Sequence, residues 1–231
     1  MKECNNLCDL NKCFLCKLCL PEWLPALAVR KRNFQVKKGE LLFTEGDAVG
    51  GIFFVYEGTF KVHKRWDKEK ELIIRFAKSG DIVGHMGLGE ERLYPVSATA
   101  IEPAIVCFLD IAFFESTLKV NTNLTYELMK FYANELQNSH RRMRDLAHMS
   151  VKARIAQSFI SLKQQFGQDE NGVINVEMSR QDLSSFAGTT YETLFKVLNE
   201  FAKHNTLTIS GRKIKIINEG ELVRIVANDN I

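Results

Sequence analysis

The 231-residue sequence lacks any stretch approaching the roughly 18 consecutive apolar residues of a membrane-spanning helix. It also lacks an apolar run of about 7–15 residues behind a basic start, so no secretory leader is expected. Both absences point to a cytoplasmic protein with no membrane partner. Charge of one sign is scarce too. Thirty-one Lys and Arg against 28 Asp and Glu leave a formal +3, too little to demand a polyanionic partner and no bar to one. There is no Gly-rich phosphate loop, nucleophile elbow, zinc-protease motif or internal repeat of about 20–50 residues, so nothing supports an enzyme. Disorder is excluded by composition, because 45% hydrophobic residues suffice to bury a core.

Cysteine is concentrated rather than abundant. Five of the six cysteines, Cys4, Cys8, Cys13, Cys16 and Cys19, fall within the first nineteen residues, and Cys107 stands alone far downstream. A reducing compartment disfavours structural disulfides, so clustered thiols read first as metal or cluster ligands or as redox thiols. The five histidines, His63, His85, His140, His148 and His204, show no ligand spacing and are expected at the surface or in a satisfied interior. Trp23 and Trp66 are expected to pack, and Arg30-Lys31-Arg32 with Lys37-Lys38 to form a solvated face.

Residues 1–20 read as a Cys-rich arm. Between residues 34 and 115, short apolar-rich runs alternate with turn signals such as Glu45-Gly46-Asp47, Glu57-Gly58 and Ser79-Gly80-Asp81. Glycine tolerates the left-handed backbone such turns need, and strands at this spacing suggest a barrel or roll. From Asn121 the period changes. Leu124, Leu128, Tyr132, Leu136, Ser139, Met143 and Leu146 recur at a mean of about 3.7 residues, one face of an α-helix. No Pro or Gly interrupts residues 121–165. A helix from Asn121 to His148 would be about 42 Å long, and its narrow stripe favours contact with a second copy over packing within its own domain. The division expected is 1–20 arm, 21–118 roll, 119–149 long helix and 150–231 terminal domain. Within residues 151–216 the order reads helix, strand, helix, helix, hairpin.

SRQDLSSFAG–TTYETLFKVLNEFAK has the layout of a helix-turn-helix. Ser179 caps a first helix with Asp182 in its first turn, Gly188 breaks the pattern, and Thr190 or Thr189 caps a second helix reaching about Lys203. That second helix would expose Thr189, Thr190, Tyr191, Glu192, Phe195 and Lys196. A carboxylate can accept from cytosine N4 and a lysine can donate to guanine O6 and N7. Leu207–Ser210 and Lys213–Ile217, joined at Gly211-Arg212, form a hairpin with a basic tip. Six basic residues against three acidic between Met178 and Ile216 give a local +3. Arg212 and Lys213 at the hairpin tip are therefore candidate phosphate contacts beside the reading helix, and Ser179 and Arg180 are further candidate DNA-binding residues.

KKGELLFTEGD, YEGTFKV, FAKSGDIVG and DLSSFAGTTYETLFKVLNEF, in this order along essentially the whole chain, resemble segments of the Crp/Fnr family of transcription regulators. The resemblance implies an α+β protein: an N-terminal β-roll of the cyclic-nucleotide-binding type as sensor, a long dimerisation helix and a C-terminal winged helix-turn-helix. It implies a homodimer that binds double-stranded DNA, with RNA polymerase as a partner. The family's reading helix commonly carries R-E-T-x-x-R or V-E-T-x-x-R. Here Tyr191-Glu192-Thr193-Leu194-Phe195-Lys196 stands there, with Glu192 matching the base-reading Glu. Lys196 replaces the usual Arg, a fork exchanged for a point charge, and Phe195 stands where a small residue is common.

The signal is read from the same resemblance. The nucleotide-binding branch uses a G-E-x-G or G-E-x-A turn for the ribose and an Arg-Ser pair for the phosphate. This chain has Gly84-His85-Met86-Gly87 and then Tyr94-Pro95-Val96-Ser97, which argues against cyclic AMP, since a buried phosphate needs its charged partner. The oxygen-sensing branch holds an iron–sulfur cluster on three N-terminal cysteines and one from the roll, and PAIVCFLDIAFFE resembles the roll segment that carries the distant ligand. Cys13, Cys16 and Cys19 form a C-x2-C-x2-C run of a spacing used for 4Fe–4S ligation. These three with Cys107 are the expected ligands, and Cys8 is the reserve. A tetrathiolate zinc site, a redox disulfide, or another ligand in the roll (haem, a small molecule or a nucleotide) stand as alternatives. The mechanism expected is two-state. Loss of the cluster shifts packing along the Leu124–Leu146 stripe, and with it dimerisation and the spacing of two reading helices on half-sites about one DNA turn apart.

Overall fold

A computed structural model of the chain describes residues 1–4, 13–67 and 70–229. Cys8 lies outside the described residues. The chain divides into two compact units, Met1–Gln137 and Asn138–Ile231, with the long helix running from one into the other.

The first unit is built on two antiparallel sheets. One holds β1 (Lys2–Cys4), β2 (Arg32–Val36), β9 (Ala104–Asp110), β4 (Gly51–Glu57) and β7 (Ile82–Val83) in that order. The other holds β3 (Leu41–Phe43), β8 (Ser97–Ala100), β5 (Phe60–Arg65) and β6 (Glu71–Ala77). Successive residues of a strand point to opposite faces, and the five-stranded sheet buries both. Phe53 and Val55 of β4, with Ala104 and Val106 of β9, join the core between the sheets. Their neighbours Ile52, Phe54, Cys107 and Leu109 face the other way, into a second core under the helices. Double-sided burial explains why Gly51–Val55 is an unbroken buried run. It also explains Gly51 itself, where an added Cβ would lie 2.1 Å from the Leu109 carbonyl oxygen.

The arm is ordered structure where it is described. Its first residues add β1 to the sheet edge, pairing Cys4 with Asn33, which in turn pairs with Cys107. Helix α1 (Phe14–Leu18), a 3-10 turn (Pro21–Trp23) and α2 (Leu24–Arg30) follow. After β9 come α3 (Ile111–Val120), capped by Asp110, and the 27-residue α4 (Thr122–His148).

The expected stripe on α4 divides between two tasks. Leu124 and Leu128 are buried in the core beneath the five-stranded sheet, while Leu136 and Met143 are more than half exposed, together with Tyr126 and Met129. Trp66 also departs from expectation. It is 88% exposed, and nothing in the fold explains it. Trp23 does pack, stacked on Phe113 at 5.9 Å.

The second unit begins on the last turns of α4. It continues through α5 (Val151–Phe166), α6 (Arg180–Ala187), α7 (Tyr191–Lys203), the β10–β11 hairpin (Leu207–Ser210 with Lys213–Ile216) and α8 (Glu219–Asn228), which packs on α5. The strand expected between α5 and α6 is reduced to isolated bridges, Gln168 with Ile174 and Val173 with Lys215. No described helix is long and apolar enough to cross a membrane.

Candidate functional site

The helix-turn-helix forms where its caps dictate. The Ser179 hydroxyl accepts from the Asp182 amide at 3.0 Å and donates to the Asp182 carboxylate at 2.5 Å, which fixes the start of α6. Gly188 ends α6 at φ 64°, ψ 45°, the left-handed conformation that stops a helix. Thr190, not Thr189, caps α7, accepting from the Thr193 amide at 3.2 Å. Leu194, Leu198 and Phe201 turn inward, which leaves Thr190, Tyr191, Glu192, Phe195 and Lys196 exposed and Thr189 half-buried. Glu192 is held below the usual carboxylate range by its own backbone amide, by the Thr190 hydroxyl and then by the Lys196 charge, so it stands ready as an acceptor.

The hairpin returns to the same place. The Met178 amide donates to the Arg212 carbonyl oxygen at 3.2 Å, and Arg212 and Lys213 are exposed. This bond fixes the tip of the hairpin beside Ser179 and Arg180 at the start of α6.

Two arginines that sequence reading missed tie this unit together. Arg142, on the last turns of α4, donates to the Phe186 carbonyl oxygen at 2.8 Å and lies 4.6 Å from the Phe186 ring. Arg154 of α5 donates to the carbonyl oxygens of Met149 (2.9 Å), Gly188 (3.2 Å) and Ala187 (3.3 Å). They satisfy the carbonyls that a helix end leaves without partners. Only an acceptor without a fixed sequence address is involved, so no motif marks them.

In the first unit the thiols converge. Cys13 is the N-cap residue of α1, Cys16 lies within it and Cys19 is its C-cap residue. All three, and Cys107 of the sheet, are buried in the one apolar core that also takes Leu124 and Leu128 of α4. Burial, and then the neighbouring Cys13, push the Cys19 thiol up to about 12. Cys4 belongs to the same row of the sheet as Asn33 and Cys107, and directly opposed residues share a face. Among the described residues no three His, Cys, Asp or Glu side chains converge as a single metal ion requires. For zinc, with bonds of about 2.3 Å, that means thiols about 3.8 Å apart. A cuboidal iron–sulfur cluster takes its thiolates at four separated corners and does not need that convergence. The donor set is four thiols buried in one apolar core, the ligand type that such a cluster takes.

The end of the arm is fastened to the head of α4. The Leu20 amide, one residue beyond Cys19, donates to Asn121 Oδ1 at 2.7 Å. Asn121 Nδ2 donates to the Thr117 carbonyl oxygen at 2.9 Å, and Trp23 Nε1 to the Thr117 hydroxyl at 3.1 Å. Asn121, 1% exposed, immediately precedes α4.

At the Gly84–Gly87 turn, His85 lies buried edge-on to Phe131 and Tyr132 of α4, with ring centroids 5.0 and 5.3 Å away. The Tyr132 hydroxyl donates to the His85 carbonyl oxygen. Burial, with the Arg75 charge second, lowers the imidazole to about 3. His85 is thus interior; its ring has a backbone hydrogen bond at Ile82, while Nδ1 has no hydrogen-bond partner. His63 is buried and partnered by Thr99 and Glu71, and His140, His148 and His204 are exposed. Arg75, whose charge acts on His85, is engaged by Glu135 at 3.1 Å and by the Ile82 carbonyl oxygen.

A β-roll of sensor type, joined through a long helix to a winged helix-turn-helix, defines a DNA-binding regulator. Residues 33–121 match the family described as cyclic nucleotide-binding domain, and residues 153–225 match the Crp-like helix-turn-helix domain. The chain belongs to the Crp/Fnr family of DNA-binding transcription regulators. It is 29% identical over 218 residues to the transcriptional activator protein Anr of Pseudomonas aeruginosa, covering 91% of this chain and 89% of that one. It is 25% identical over 226 residues to the fumarate and nitrate reduction regulatory protein of Escherichia coli, covering 94% and 89%. Among solved structures, FixK2 from Bradyrhizobium japonicum superposes with a TM-score of 0.74 at 22% identity, over 84% of this chain and 96% of that one, a likeness of fold.

Proposed function

We propose that this regulator senses oxygen or a related oxidant through a 4Fe–4S cluster held by Cys13, Cys16, Cys19 and Cys107, and that it binds DNA as a homodimer only while the cluster is intact. The observation that carries this reading is the burial of those four thiols in one apolar core shared with the first turns of α4. Held by four thiolates, such a cluster supplies redox chemistry and reactivity toward oxygen and nitric oxide. The likeness to relatives named for fumarate and nitrate reduction supports the same signal. The engagement of Arg75 and the burial of neutral His85 leave the usual place of a cyclic nucleotide without an anion partner, which speaks against cyclic AMP.

The chain's own residues supply the coupling. The arm holds the head of α4 through Leu20 and Asn121 and packs on Leu124 and Leu128. At the other end of α4, Arg142 grips the C-terminus of α6. Between them Met129, Tyr132, Leu136, Ser139, Met143 and Leu146 recur at alternating steps of three and four, the seam of a two-stranded coiled coil. A shift of the arm therefore reaches the seam at its first turn. Glu192 and Lys196 are the base readers, and Ser179, Arg180, Arg212 and Lys213 hold phosphate. RNA polymerase is the further partner that a regulator of this family would engage.

The test is purification without air, followed by iron, sulfide and zinc analysis. The account expects iron and acid-labile sulfide in equal amounts with a broad visible absorption. Cys16→Ser and Cys107→Ala should both remove them while each chain stays folded. Retention of the chromophore in both variants would refute the ligand assignment, and zinc in place of iron would refute the cluster.

A further inference from the structure

Two aromatic side chains stand outside the packing of the helix-turn-helix. Tyr191 and Phe195 are 42% and 43% exposed, although large apolar side chains are normally turned inward. At 100° per residue, Leu194, Leu198 and Phe201 point to the core. Glu192, Lys196 and Asn199 point directly away from it. Phe195 lies on the flank between these directions, on the side of α6. There the guanidinium of Arg180, the first residue of α6, stands 5.8 Å from the Phe195 ring centroid, within cation–π range. The ring is thus held at the edge of the outward face instead of folding onto the core. Glu192 precedes Phe195 by three positions and Lys196 by four, so its side chain leaves the helix about 5–6 Å from each of them.

The major groove offers one apolar mark, the C5-methyl group of thymine, and Phe is among the side chains that contact it. Glu accepts from cytosine N4, and Lys donates to guanine. We propose that Phe195 is a specificity-determining residue that packs on a thymine methyl within one base-pair step of the C·G pair read by Glu192 and Lys196, with Arg180 holding the ring in place. The inference rests on the assignment of Glu192 and Lys196 as base readers. It sets an aromatic ring where a small residue is common in the family, and so gives this chain a DNA site of its own.

Selection of binding sites from a randomised duplex pool, with full-length protein prepared with and without air, supplies the site. Each thymine of the selected duplex is then replaced by deoxyuridine, which removes the methyl and nothing else. Wild-type protein should lose about fourfold in affinity at one thymine per half-site, the transfer free energy of one methyl group. Phe195→Ser should bind the thymine and uracil duplexes equally and accept cytosine there. Phe195→Leu should keep part of the discrimination. The salt dependence of binding should be the same in all three proteins, because phosphate contacts are unchanged. A consensus with no methyl-sensitive thymine, or the same sensitivity in Phe195→Ser, overturns this inference alone. Failure to select any consensus overturns the reading face and this inference with it.

Discussion

Cys107 occupies the central position of the five-stranded sheet, 3% exposed, between β2 and β4. Its two roles, small hydrophobe and ligand, separate by substitution. Cys107→Ser buries a hydroxyl where a thiol was, at a cost of about 1–3 kcal/mol unless it finds a partner, whereas Cys107→Ala deletes one sulfur. Urea unfolding of iron-free protein should therefore rank Ser below Ala, while iron loading should fail in both. A stable, iron-loaded alanine variant would remove Cys107 from the site.

His85 carries a second prediction at this scale. The unfolded chain takes up its proton as pH falls through about 6.5, but the native protein does so only near 3, because burial disfavours the imidazolium. The stability this histidine contributes is whole above pH 6.5 and is lost as pH falls toward 3, by about 1.4 kcal/mol per pH unit. His85→Leu should flatten that slope by one proton between pH 4.5 and 6; an unchanged slope would show that His85 titrates normally. Glu71, held at about 2 by His63 and Lys61, adds a separate loss only below pH 4.5. The spacing of residues marked His85 as unlike the family's glutamate, but its burial beneath α4 depends on a long-range contact that no local pattern encodes.

At the scale of elements, the helix-turn-helix was legible because every signal in it is local. Ser179, Asp182, Gly188 and Thr190 act within four residues of themselves. Gly188→Ala forces a side chain into a left-handed backbone at about 1–2 kcal/mol, and thermal unfolding of the C-terminal unit should fall accordingly. The strand β1 was not legible, since three residues gain their conformation only from the edge of β2. The division of α4 was half legible. Its period announced an apolar stripe, yet Leu124 and Leu128 serve the roll while Leu136 and Met143 do not, and periodicity does not say what lies opposite. Asn121 was invisible for the same reason. Asn121→Leu removes the acceptor for Leu20 and the donor to Thr117. We expect it to leave iron content intact and to weaken DNA binding at least tenfold. Equal DNA affinity in the variant would disconnect the arm from α4.

In the molecule as a whole, one helix takes part in both compact units. The order of roll, long helix and winged helix was readable from glycine punctuation, a period of about 3.7 and two capped helices, because each is repeated or local. The grip of Arg142 and Arg154 on the end of α6 was not, because it is made to carbonyl oxygens that every sequence possesses. Leu136→Glu, on the exposed seam, should raise the dimer dissociation constant by at least tenfold and lower DNA affinity with it, since like charges would face each other across the pair. Sedimentation at several concentrations checks this, and a dimer of undiminished stability would move the interface elsewhere.

Thiol-held iron, dimerisation and DNA binding are expected to stand or fall together. A single titration decides this: protein purified without air is followed by sedimentation and by binding to its selected duplex while air is admitted and iron release is measured. The account predicts that dimer, DNA binding and protein-bound iron decline in step. Undiminished DNA binding by a stable dimer after all the iron has left would contradict it.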